Sequence, residues 1–460
     1  MKYLNNLFVI SLVLFISSYF LSLIWQMPLF VELLSGAGLV MLVSTLFVLP
    51  KKDLLLPILL LAVSMSIILI TSSSPLVLWI GLREMSAIVP LIILISLVGW
   101  IIGHRPYVKA LILLGEKRIT TTFRFYFLVS AMTHFIASFM TVGGIPFVYQ
   151  IFKDSKKPTI SEDAWEFALS TAIMRGFTLT VLWTAVHPAF AYVIVGTNAP
   201  LLPTAIKGIG LAFIGFFISF FVFRLQAKRL QMPSDITPDL PMNDNQRLNG
   251  LISQFVLWVL LIMGGILLTN LWFSIDILLA VPIVIVAVTT LYFLCNHSMT
   301  QYKTLLIGLV KHDLGKKKKE IMLILAAGIL VGTLKETGYG QVLFSYFLLV
   351  IDFMNINILI GLTLIVVLLG FCGFPPIPAM VLLSGILVDI PGSYSLDLIA
   401  LSLLLGVSVT LIIAPVTVPL LLLSGQNGRS LAENGFHSNL LFGLALLVIG
   451  TLYIQLLTLF

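Results

Sequence analysis

The sequence predicts an all-α integral membrane protein, with about 11 transmembrane helices and two re-entrant hairpins arranged as two inverted repeats. The first observation is composition, because 59% of the 460 residues are hydrophobic, 10% are charged and the mean hydropathy is +1.12. The second is that stretches of about 20 apolar residues, each long enough to cross a bilayer, follow one another along the chain. The third is that two apolar segments interrupted by glycine and proline recur 230 positions apart. The first two observations exclude a soluble globular fold.

The uninterrupted apolar stretches give the positions of the spanning helices. They cover residues 7–25, 29–49, 54–72, 85–103, 161–195, 204–223, 250–269, 275–295, 320–336, 396–424 and 440–459. Residues 7–25 are similar in length to a signal peptide, but no small-residue cleavage site follows them. We therefore expect residues 1–28 to contribute an additional, retained membrane helix.

Two further apolar stretches, residues 119–152 and 357–388, carry glycine and proline in their middles. Residues 141–148 read TVGGIPFV, and residues 371–378 read FCGFPPIP. Backbone that is not helical is tolerated at membrane depth only where protein buries it or where it lines a polar cavity. We therefore expect each stretch to be a hairpin that enters the membrane, turns and leaves on the side where it entered.

Two of the spans, 161–195 and 396–424, are predicted to be broken within the membrane. The helix-breaking residues are His187-Pro188 in the first span and Ala414–Pro419 in the second. Before these breaks, small residues again correspond at an offset of 230 positions, namely Gly176, Thr178 and Thr180 opposite Gly406, Ser408 and Thr410. Interrupted apolar segments at corresponding places in two halves are the best sequence indication of a transporter's binding site.

Basic residues in the loops predict the orientation of the chain, because they concentrate in the cytoplasm. The segments assigned to the cytoplasm are Lys51-Lys52, Arg105–Arg118, Lys153–Lys157, Arg224–Arg229 and Lys303–Lys319. Residues 106–198 contain eight lysines and arginines, whereas residues 336–428 contain none. The first hairpin should therefore open to the cytoplasm and the second to the outside. This makes residues 29–224 and 250–460 inverted repeats with a cytoplasmic linker at 225–249, the N-terminus inside and the C-terminus outside the cytoplasmic membrane.

The sequence argues against several other classes of function. No soluble segment is long enough for a nucleic-acid-binding domain, and no P-loop indicates ATP-driven transport. Cys295 and Cys372 both lie in apolar sequence, which argues against a disulfide framework and a thiolate metal site. Histidines and carboxylates do not fall at metal-ligand or catalytic spacings. We therefore expect no enzyme activity and no cofactor other than a coupling ion, Na⁺ or H⁺.

The order of long and interrupted segments resembles the ion transporter superfamily, which includes divalent-anion/sodium symporters, gluconate permeases and arsenite-type carriers. The resemblance covers the chain from about residue 29 onward, with TVGGIP and CGFPPIP at the hairpin-tip positions and the breaks near His187-Pro188 and Pro415–Pro419 at the positions of unwound helices. It implies a secondary transporter whose transport domain moves against a scaffold like an elevator, and it implies a homodimer. Sodium-coupled members carry asparagine at these tips, whereas this sequence does not, so the coupling ion stays open.

Three basic side chains within the predicted segments are candidate functional groups, because an ionisable residue is costly inside a membrane. Arg175 is predicted either to hold a carboxylate or phosphate through bidentate hydrogen bonds or to extend toward the cytoplasmic boundary. His187, at the first break, is a candidate for substrate binding and for the coupling proton; its alternative role is to satisfy carbonyls freed by the break. His134 is either a second proton-accepting group or a packed helix histidine.

The remaining candidates for substrate contact are small residues and hydroxyls at the hairpin tips and the helix breaks. They are Thr141, Gly143, Gly144, Gly373 and Pro375 at the tips, and Thr178, Thr180, Ser408, Thr410 and Thr417 on the broken helices. Turns of this kind expose amide N–H groups, and the N-termini of half-helices favour anions. The alternatives are that glycine and proline only shape the turns and that the hydroxyls only bond carbonyls one turn earlier.

These residues together predict a secondary transporter that moves a small organic anion across the cytoplasmic membrane, coupled to H⁺ or Na⁺. An anion is favoured because Arg175 and His187 are the basic groups nearest the breaks and no acidic residue lies in the predicted centre. The alternative of a different class is a lipid-handling flippase for a lipid-linked phosphate. A subunit that only anchors a partner is disfavoured by the broken helices. The segment Lys303–Lys319 predicts an amphipathic helix on the anionic inner leaflet.

Overall fold

The computed structural model describes residues 2–107, 110, 121–153, 156, 160–230, 232, 248–374, 376, 379–380, 383 and 394–459. Regular structure within these residues is helical, and ten helical segments among them are long and apolar enough to cross a membrane. The number becomes 11 if two helices joined at a sharp bend are counted as one span. The prediction of an all-α multi-pass membrane protein is therefore confirmed.

The helices have the following bounds. In the first half of the chain they are α1 (Lys2–Trp25), α2 (Pro28–Leu46), α3 (Lys51–Thr71), α4 (Leu76–Glu84), α5 (Ile88–Leu94), α6 (Val98–His104), α7 (Thr122–Met140), α8 (Gly144–Phe152), α9 (Glu162–Thr178), α10 (Pro188–Gly196) and α11 (Leu201–Arg229). In the second half they are α12 (Leu248–Phe273), α13 (Ile277–Cys295), α14 (Met299–Gly308), α15 (Lys318–Glu336), α16 (Tyr339–Phe353), α17 (Ile358–Phe371), α18 (Leu396–Ile413), α19 (Val418–Asn427) and α20 (Ser438–Leu457).

The chain divides into two compact units, and each draws on both halves of the sequence. The first unit comprises Met1–Leu94, Thr290–Ile356 and Ile377–Gly392. The second comprises Ile95–Thr289, Asn357–Pro376 and Ser393–Phe460. The second unit therefore holds α7 to α10 and α17 to α19, which cover the first predicted hairpin, the first arm of the second one and both predicted broken helices.

In the first unit, α4 and α15 cross at glycines on both helices. A Cβ on Gly332 would lie 2.8 Å from the Cα of Gly81, and one on Gly328 would lie 2.9 Å from the carbonyl oxygen of Gly81. Small residues let membrane helices approach until their backbones touch. Glu84 of α4 forms an ion pair with Lys335 of α15, so polar and backbone contacts hold the same pair of helices.

Helices α7 and α8 form a hairpin within the second unit. The ring centroids of Phe125 and Phe152 lie 5.7 Å apart, whereas a straight helix would separate residues so distant in sequence by about 40 Å. The chain reverses at Thr141, whose φ of 50° lies in the left-handed region. Gly144 then begins α8 against α7, and its Cβ, if present, would lie 3.0 Å from the Cα of Ala137.

The corresponding turn of the second half follows α17. This helix ends at Phe371, and Gly373 adopts a φ of 87° that glycine accommodates without steric cost. Of the second predicted hairpin, residues 375, 377–378, 381–382 and 384–388 lie outside the described residues, and the site candidate Pro375 is among them.

Both predicted broken helices are interrupted where the sequence has its prolines. Helix α9 ends at Thr178, a 3-10 turn covers Leu179–Leu182, and α10 begins at Pro188. Helix α18 ends at Ile413, and α19 begins at Val418. The two restarts therefore stand at the same offset of 230 positions that relates the sequence motifs.

Helix α16 is absent from the predicted spans. It follows Gly338, whose φ of 73° lets the chain bend by 88° after the helical segment Met299–Glu336. Gln341, Ser345 and Asp352 interrupt its apolar sequence. These polar residues and the short length of the helix explain why hydropathy alone missed it.

Two other segments depart from the expected boundaries. The span predicted at 85–103 begins at Leu76 and consists of α4, α5 and α6 with short turns between them. Residues Lys303–Lys319, expected to form a single amphipathic helix, are divided among several elements. They cover the end of α14, a π-helical turn at Leu309–Asp313, a 3-10 turn at Leu314–Lys317 and the start of α15.

Candidate functional site

The two broken helices cross at equivalent positions of the two halves. The Oγ of Ser408 on α18 donates a hydrogen bond to the carbonyl oxygen of Thr178 on α9, 2.9 Å away. A contact between equivalent positions is what a local two-fold axis produces, because each residue then meets its own counterpart. The 3-10 turn that follows α9 also packs against α18. The crossing therefore brings the first break beside the second broken helix.

Each broken helix carries a glycine where it meets the first arm of its hairpin. A Cβ on Gly406 would lie 2.7 Å from the carbonyl oxygen of Thr363 on α17. A Cβ on Gly176, the equivalent position of α9, would collide with the carbonyl oxygen of Ser130 on α7. Because backbone stands in the way at both places, a larger residue would push hairpin and broken helix apart.

The four hydroxyls before the breaks are occupied by main-chain carbonyls. Thr178, Thr180, Ser408 and Thr410 are all almost completely buried. Besides the bond from Ser408, Thr180 donates to the carbonyl of Phe177 at 2.7 Å and Thr410 donates to that of Val366 at 3.3 Å. Thr178 donates to the carbonyl one turn earlier, at 3.3 Å. This arrangement favours the backbone-bonding alternative over direct contact with a substrate.

Arg175 lies fully buried at the end of α9, with no exposed surface. Its guanidinium donates five hydrogen bonds of 2.7 to 3.3 Å, to the side chains of Asn439, Tyr126 and Gln226 and to the carbonyl oxygens of Ser219 and Ser438. Its charged carbon also lies 5.2 Å from the ring centre of Phe442. These contacts join α7, α9, α11 and α20.

In this conformation, the environment of Arg175 fits neither sequence interpretation of this residue. A guanidinium has five N–H donors, and protein atoms accept from all of its donor groups in this conformation. No donor is left to hold a substrate carboxylate or phosphate, and the side chain does not extend to a solvated boundary. Arg175 is therefore a structural residue that ties four helices together.

His134 is a packed histidine whose two ring nitrogens are both occupied. The indole nitrogen of Trp183 donates to Nε2 at 3.1 Å, so Nδ1 carries the proton and donates to the carbonyl oxygen of Gly176 at 3.0 Å. This pattern requires the neutral ring. An additional proton on Nε2 would break the bond from Trp183, which argues against His134 as the coupling group.

His187 is the N-cap of α10 and leaves one ring donor free. Its Nδ1 accepts from the backbone N–H of Ala189 at 3.3 Å, which places the proton on Nε2 in the neutral ring. The residue is only 6% exposed, and Nε2 has no hydrogen-bond partner among the described residues. His187 therefore carries a ring N–H at the first break that remains available to a ligand.

The equivalent position at the second break is Thr417. Its Oγ1 donates to the carbonyl oxygen of Leu411 at 3.0 Å, and α19 begins without a side-chain cap. The first amide groups of α19 therefore lack a side-chain acceptor. Next to them, Pro415 and Val416 are exposed, and the exposed fraction of Val416 is 56%.

The hairpin tips provide backbone more than side-chain chemistry. Thr141 is buried, and a Cβ on Gly143 would meet only the side chain of Met140, at 3.9 Å. Gly373 is exposed, and among the described residues beyond its chain neighbours no atom lies within 4 Å of a Cβ placed on it. Gly143 and Gly373 therefore leave space that a ligand can approach, whereas Gly144 packs tightly against α7 and leaves none.

Sequence reasoning missed Glu166, a carboxylate buried in the second turn of α9. The residue is 4% exposed, and its Oε1 accepts a hydrogen bond of 2.8 Å from the hydroxyl of Tyr149 on α8. Glu166 lies near the start of α9, about three turns before the break at Leu179–Leu182. Because it follows Glu162 and Asp163, its sequence resembles a charged, solvated helix start. The apolar residues around it, such as Trp165, were the available signal of burial.

Comparison with known proteins identifies the fold. No family model matches the chain, and no curated protein matches it. The chain is similar to the YdaH transporter of Alcanivorax borkumensis, with a TM-score of 0.53 and 12% identity over 82% of this chain and 85% of that one. It is also similar to MtrF of Neisseria gonorrhoeae, which represents a class of antimetabolite efflux pumps, with a TM-score of 0.53 and 15% identity over 88% of this chain and 94% of that one. At these identities the likeness shows a shared fold, and membership of the ion transporter superfamily stays a prediction.

Proposed function

We propose that the protein is a secondary transporter that moves a small organic anion across the cytoplasmic membrane by alternating access. The observation that carries this proposal is the contact between Thr178 and Ser408. These two residues hold equivalent positions on two helices that are interrupted at equivalent places. Helix ends of this kind converge on the substrate site in transporters built from repeats. The fold shared with two transporters supports the same conclusion.

The chemistry of the breaks supports an anionic substrate. The Nε2–H of His187 is a free donor, and the first turn of α19 has no side-chain cap after Thr417. Both features favour an anion, because a helix N-terminus carries a partial positive charge and unpaired N–H groups. The break sequences 179–187 and 414–417 contain no acidic residue that would repel an anion or attract a cation.

In the proposed mechanism, residues 29–224 and 250–460 form two inverted repeats. A transport domain built from parts of both repeats moves against a scaffold like an elevator. The second unit, which collects broken helices and hairpin arms from both halves, is the candidate transport domain, and the first unit is the candidate scaffold. A homodimer is part of this proposal.

The lysine-rich segment around α14 is proposed to lie on the anionic inner leaflet. Lys303 and Lys311 are exposed, and Ile307 and Val310 between them are 54% and 43% exposed. Basic and apolar side chains exposed together suit the boundary between headgroups and acyl chains.

A lipid-handling flippase is the second candidate function. The observation that favours it is that apolar side chains are exposed beside the second break, at Val416 and Leu421, and at the end of α17, at Phe371. Such a surface suits acyl chains if it faces the bilayer. It would then present the same break to the phosphate of a lipid headgroup.

Counterflow uptake into proteoliposomes tests the proposed function. Liposomes with the full-length protein are loaded with one unlabelled anion, and entry of the labelled anion is measured for dicarboxylates, sugar acids, phosphates and anionic antimetabolites. We expect at least one organic anion to show protein-dependent counterflow that the unlabelled compound inhibits. If no anion exchanges and a lipid-linked phosphate is instead moved between leaflets, the protein is a flippase and the proposed anion transport is wrong.

A further inference from the structure

The carboxylate of Glu166 is buried and forms no ion pair among the described residues. Its partners are the hydroxyls of Tyr149 at 2.8 Å and Ser170 at 3.4 Å and the side-chain amide of Asn427. Burying a charge is costly unless it is paired, and an acidic group within a membrane helix is a functional candidate for that reason. Hydrogen bonds alone therefore do not offset the free-energy cost of burying this carboxylate in its charged form.

The nearest charged groups are engaged with other partners. Arg429 and Glu162 face Glu166, together with the hydroxyl of Tyr149. Arg429 pairs with Asp163 at 2.6 Å, and Glu162 pairs with Lys156 at 3.4 Å. Neither pair includes the carboxylate of Glu166.

Titratable groups on the other helices that pack against α9 are also occupied elsewhere. The hydroxyl of Tyr126 on α7 lies 2.6 Å from the Oγ of Ser219. Asp397 on α18 forms an ion pair with Lys207 on α11. The hydroxyl of Tyr453 on α20 donates to the carbonyl of Lys207 at 3.1 Å. Glu166 is therefore left with uncharged hydrogen-bond partners, namely two hydroxyls and the side-chain amide of Asn427.

A chain of hydrogen bonds connects Glu166 to the helices around it. It runs from Glu166 through Ser170, Asn427, Asn434 and Asn439 to Arg175. The amide of Asn427 donates to Ser170 at 3.1 Å and to Asn434 at 2.8 Å. The chain joins α9 to α19 and α20, while Tyr149 joins it to the hairpin helix α8. The charge state of this one carboxyl is therefore coupled to the first hairpin and to both broken helices.

The surroundings of Glu166 suit both of its protonation states. The hydroxyls of Tyr149 and Ser170 can donate to the carboxylate, and either can turn to accept from the carboxyl O–H once a proton is bound. A proton can therefore be taken up from water and released to water without leaving an unpaired polar group. Among the described residues, no group of three or more His, Cys, Asp or Glu side chains could hold a metal ion.

We propose that Glu166 is the coupling-proton site of the transporter, in place of the two histidines that the sequence suggested. The inference rests on the proposed function and specifies its coupling ion. Binding of one proton from water forms the carboxyl O–H and removes the buried negative charge that faces α8 and α19. Release of the proton on the other side restores that charge, so the packing between the first hairpin and the second broken helix responds to the proton gradient.

The test compares Glu166→Gln with Glu162→Gln in proteoliposomes. Glutamine resembles the protonated acid but cannot release a proton, whereas Glu162 is an exposed acid one turn earlier on the same helix. We expect Glu166→Gln to retain counterflow within about twofold and to lose accumulation driven by a pH gradient, and we expect Glu162→Gln to retain both. Gradient-driven accumulation at the wild-type level in Glu166→Gln would overturn the proposal.

Infrared difference spectra between acid and alkaline buffer provide a measurement that needs no substrate. The band of a protonated, buried carboxyl should be present in the wild type and in Glu162→Gln, and absent in Glu166→Gln. The same band in Glu166→Gln would overturn the proton site. If the band behaves as expected but the wild type exchanges no anion, the proposed transport function fails while the proton site stands.

A second variant covers the case in which Glu166→Gln does not fold. Tyr149→Phe keeps the acid but removes its closest hydrogen-bond donor. Because that donor stabilises the charged carboxylate, its removal favours the protonated form. The pH at which the infrared band is half-lost should therefore move to higher values in Tyr149→Phe. An unchanged midpoint would show that the titrating acid is not Glu166.

Discussion

Replacing His187 with serine is expected to raise the half-saturation concentration for anion counterflow by about 10- to 100-fold. Serine keeps an N-cap acceptor for the backbone N–H of Ala189, which His187 now satisfies. The substitution removes the Nε2–H donor, and a hydrogen bond to a charged group contributes about 1.5–3 kcal/mol. At about 1.4 kcal/mol for each factor of ten, this loss corresponds to the expected change in affinity.

The matched control for this prediction is His312→Ser. His312 is an exposed histidine in the first unit, so its replacement should leave half-saturation unchanged. Counterflow is measured on both variants with the anion that the wild type exchanges. Equal half-saturation in His187→Ser and the wild type would remove His187 from the site.

Replacing Arg175 with leucine is expected to destabilise the protein strongly, by roughly 3–5 kcal/mol, as removal of one partner from a buried charged cluster does. The substitution would strand the acceptors on Asn439, Gln226 and the neighbouring carbonyls, each of which costs about 1–3 kcal/mol when it is buried without a partner. Arg175→Lys should recover little, because an ammonium group offers three donors from one point and not a planar set of five.

Two measurements separate this structural role from substrate binding. Thermal unfolding of the purified variants should show the loss of stability directly. Counterflow is then measured well below the unfolding temperature of Arg175→Lys, where we expect a half-saturation concentration close to the wild-type value. A normal unfolding temperature combined with a large rise in half-saturation would instead identify Arg175 as a substrate ligand.

The backbone interruptions were predictable because their causes are local. Proline at 188 and 415 and glycine at 373 act on the chain within a few residues, so the breaks and turns that they cause could be predicted from the sequence. In the structure α10 begins at Pro188, and α18 ends at Ile413, just before Pro415. The offset of 230 positions also anticipated that Gly176 and Gly406 have the same role, although their contacts with α7 and α17 were not visible in the sequence.

The roles of the polar side chains could not be predicted, because their partners are distant in sequence. Arg175 was singled out correctly as a charge in an apolar segment, but its acceptor Asn439 lies 264 positions away. His134 was likewise visible, whereas its bond from Trp183 depends on how the hairpin packs against the first break. Glu166 was overlooked because two exposed acids precede it in the sequence. Its burial depends on the packing of α8, which the sequence does not show.

We propose that the second break lines an aqueous path that opens alternately to both sides of the membrane. Val416, exposed beside Thr417, reports on this path when it is replaced by cysteine in a variant with Cys295 and Cys372 changed to serine. Phe217→Cys is the matched control, since Phe217 is 75% exposed on an apolar face of α11 that suits contact with lipid.

The decisive measurement is labelling of these cysteines by a membrane-impermeant thiol reagent applied from each side in turn. We predict that Val416→Cys reacts from both sides, that the transported anion slows its reaction, and that Phe217→Cys does not react. Reaction of Val416→Cys from one side only, without protection by any anion, or no reaction at all, would contradict the alternating-access account.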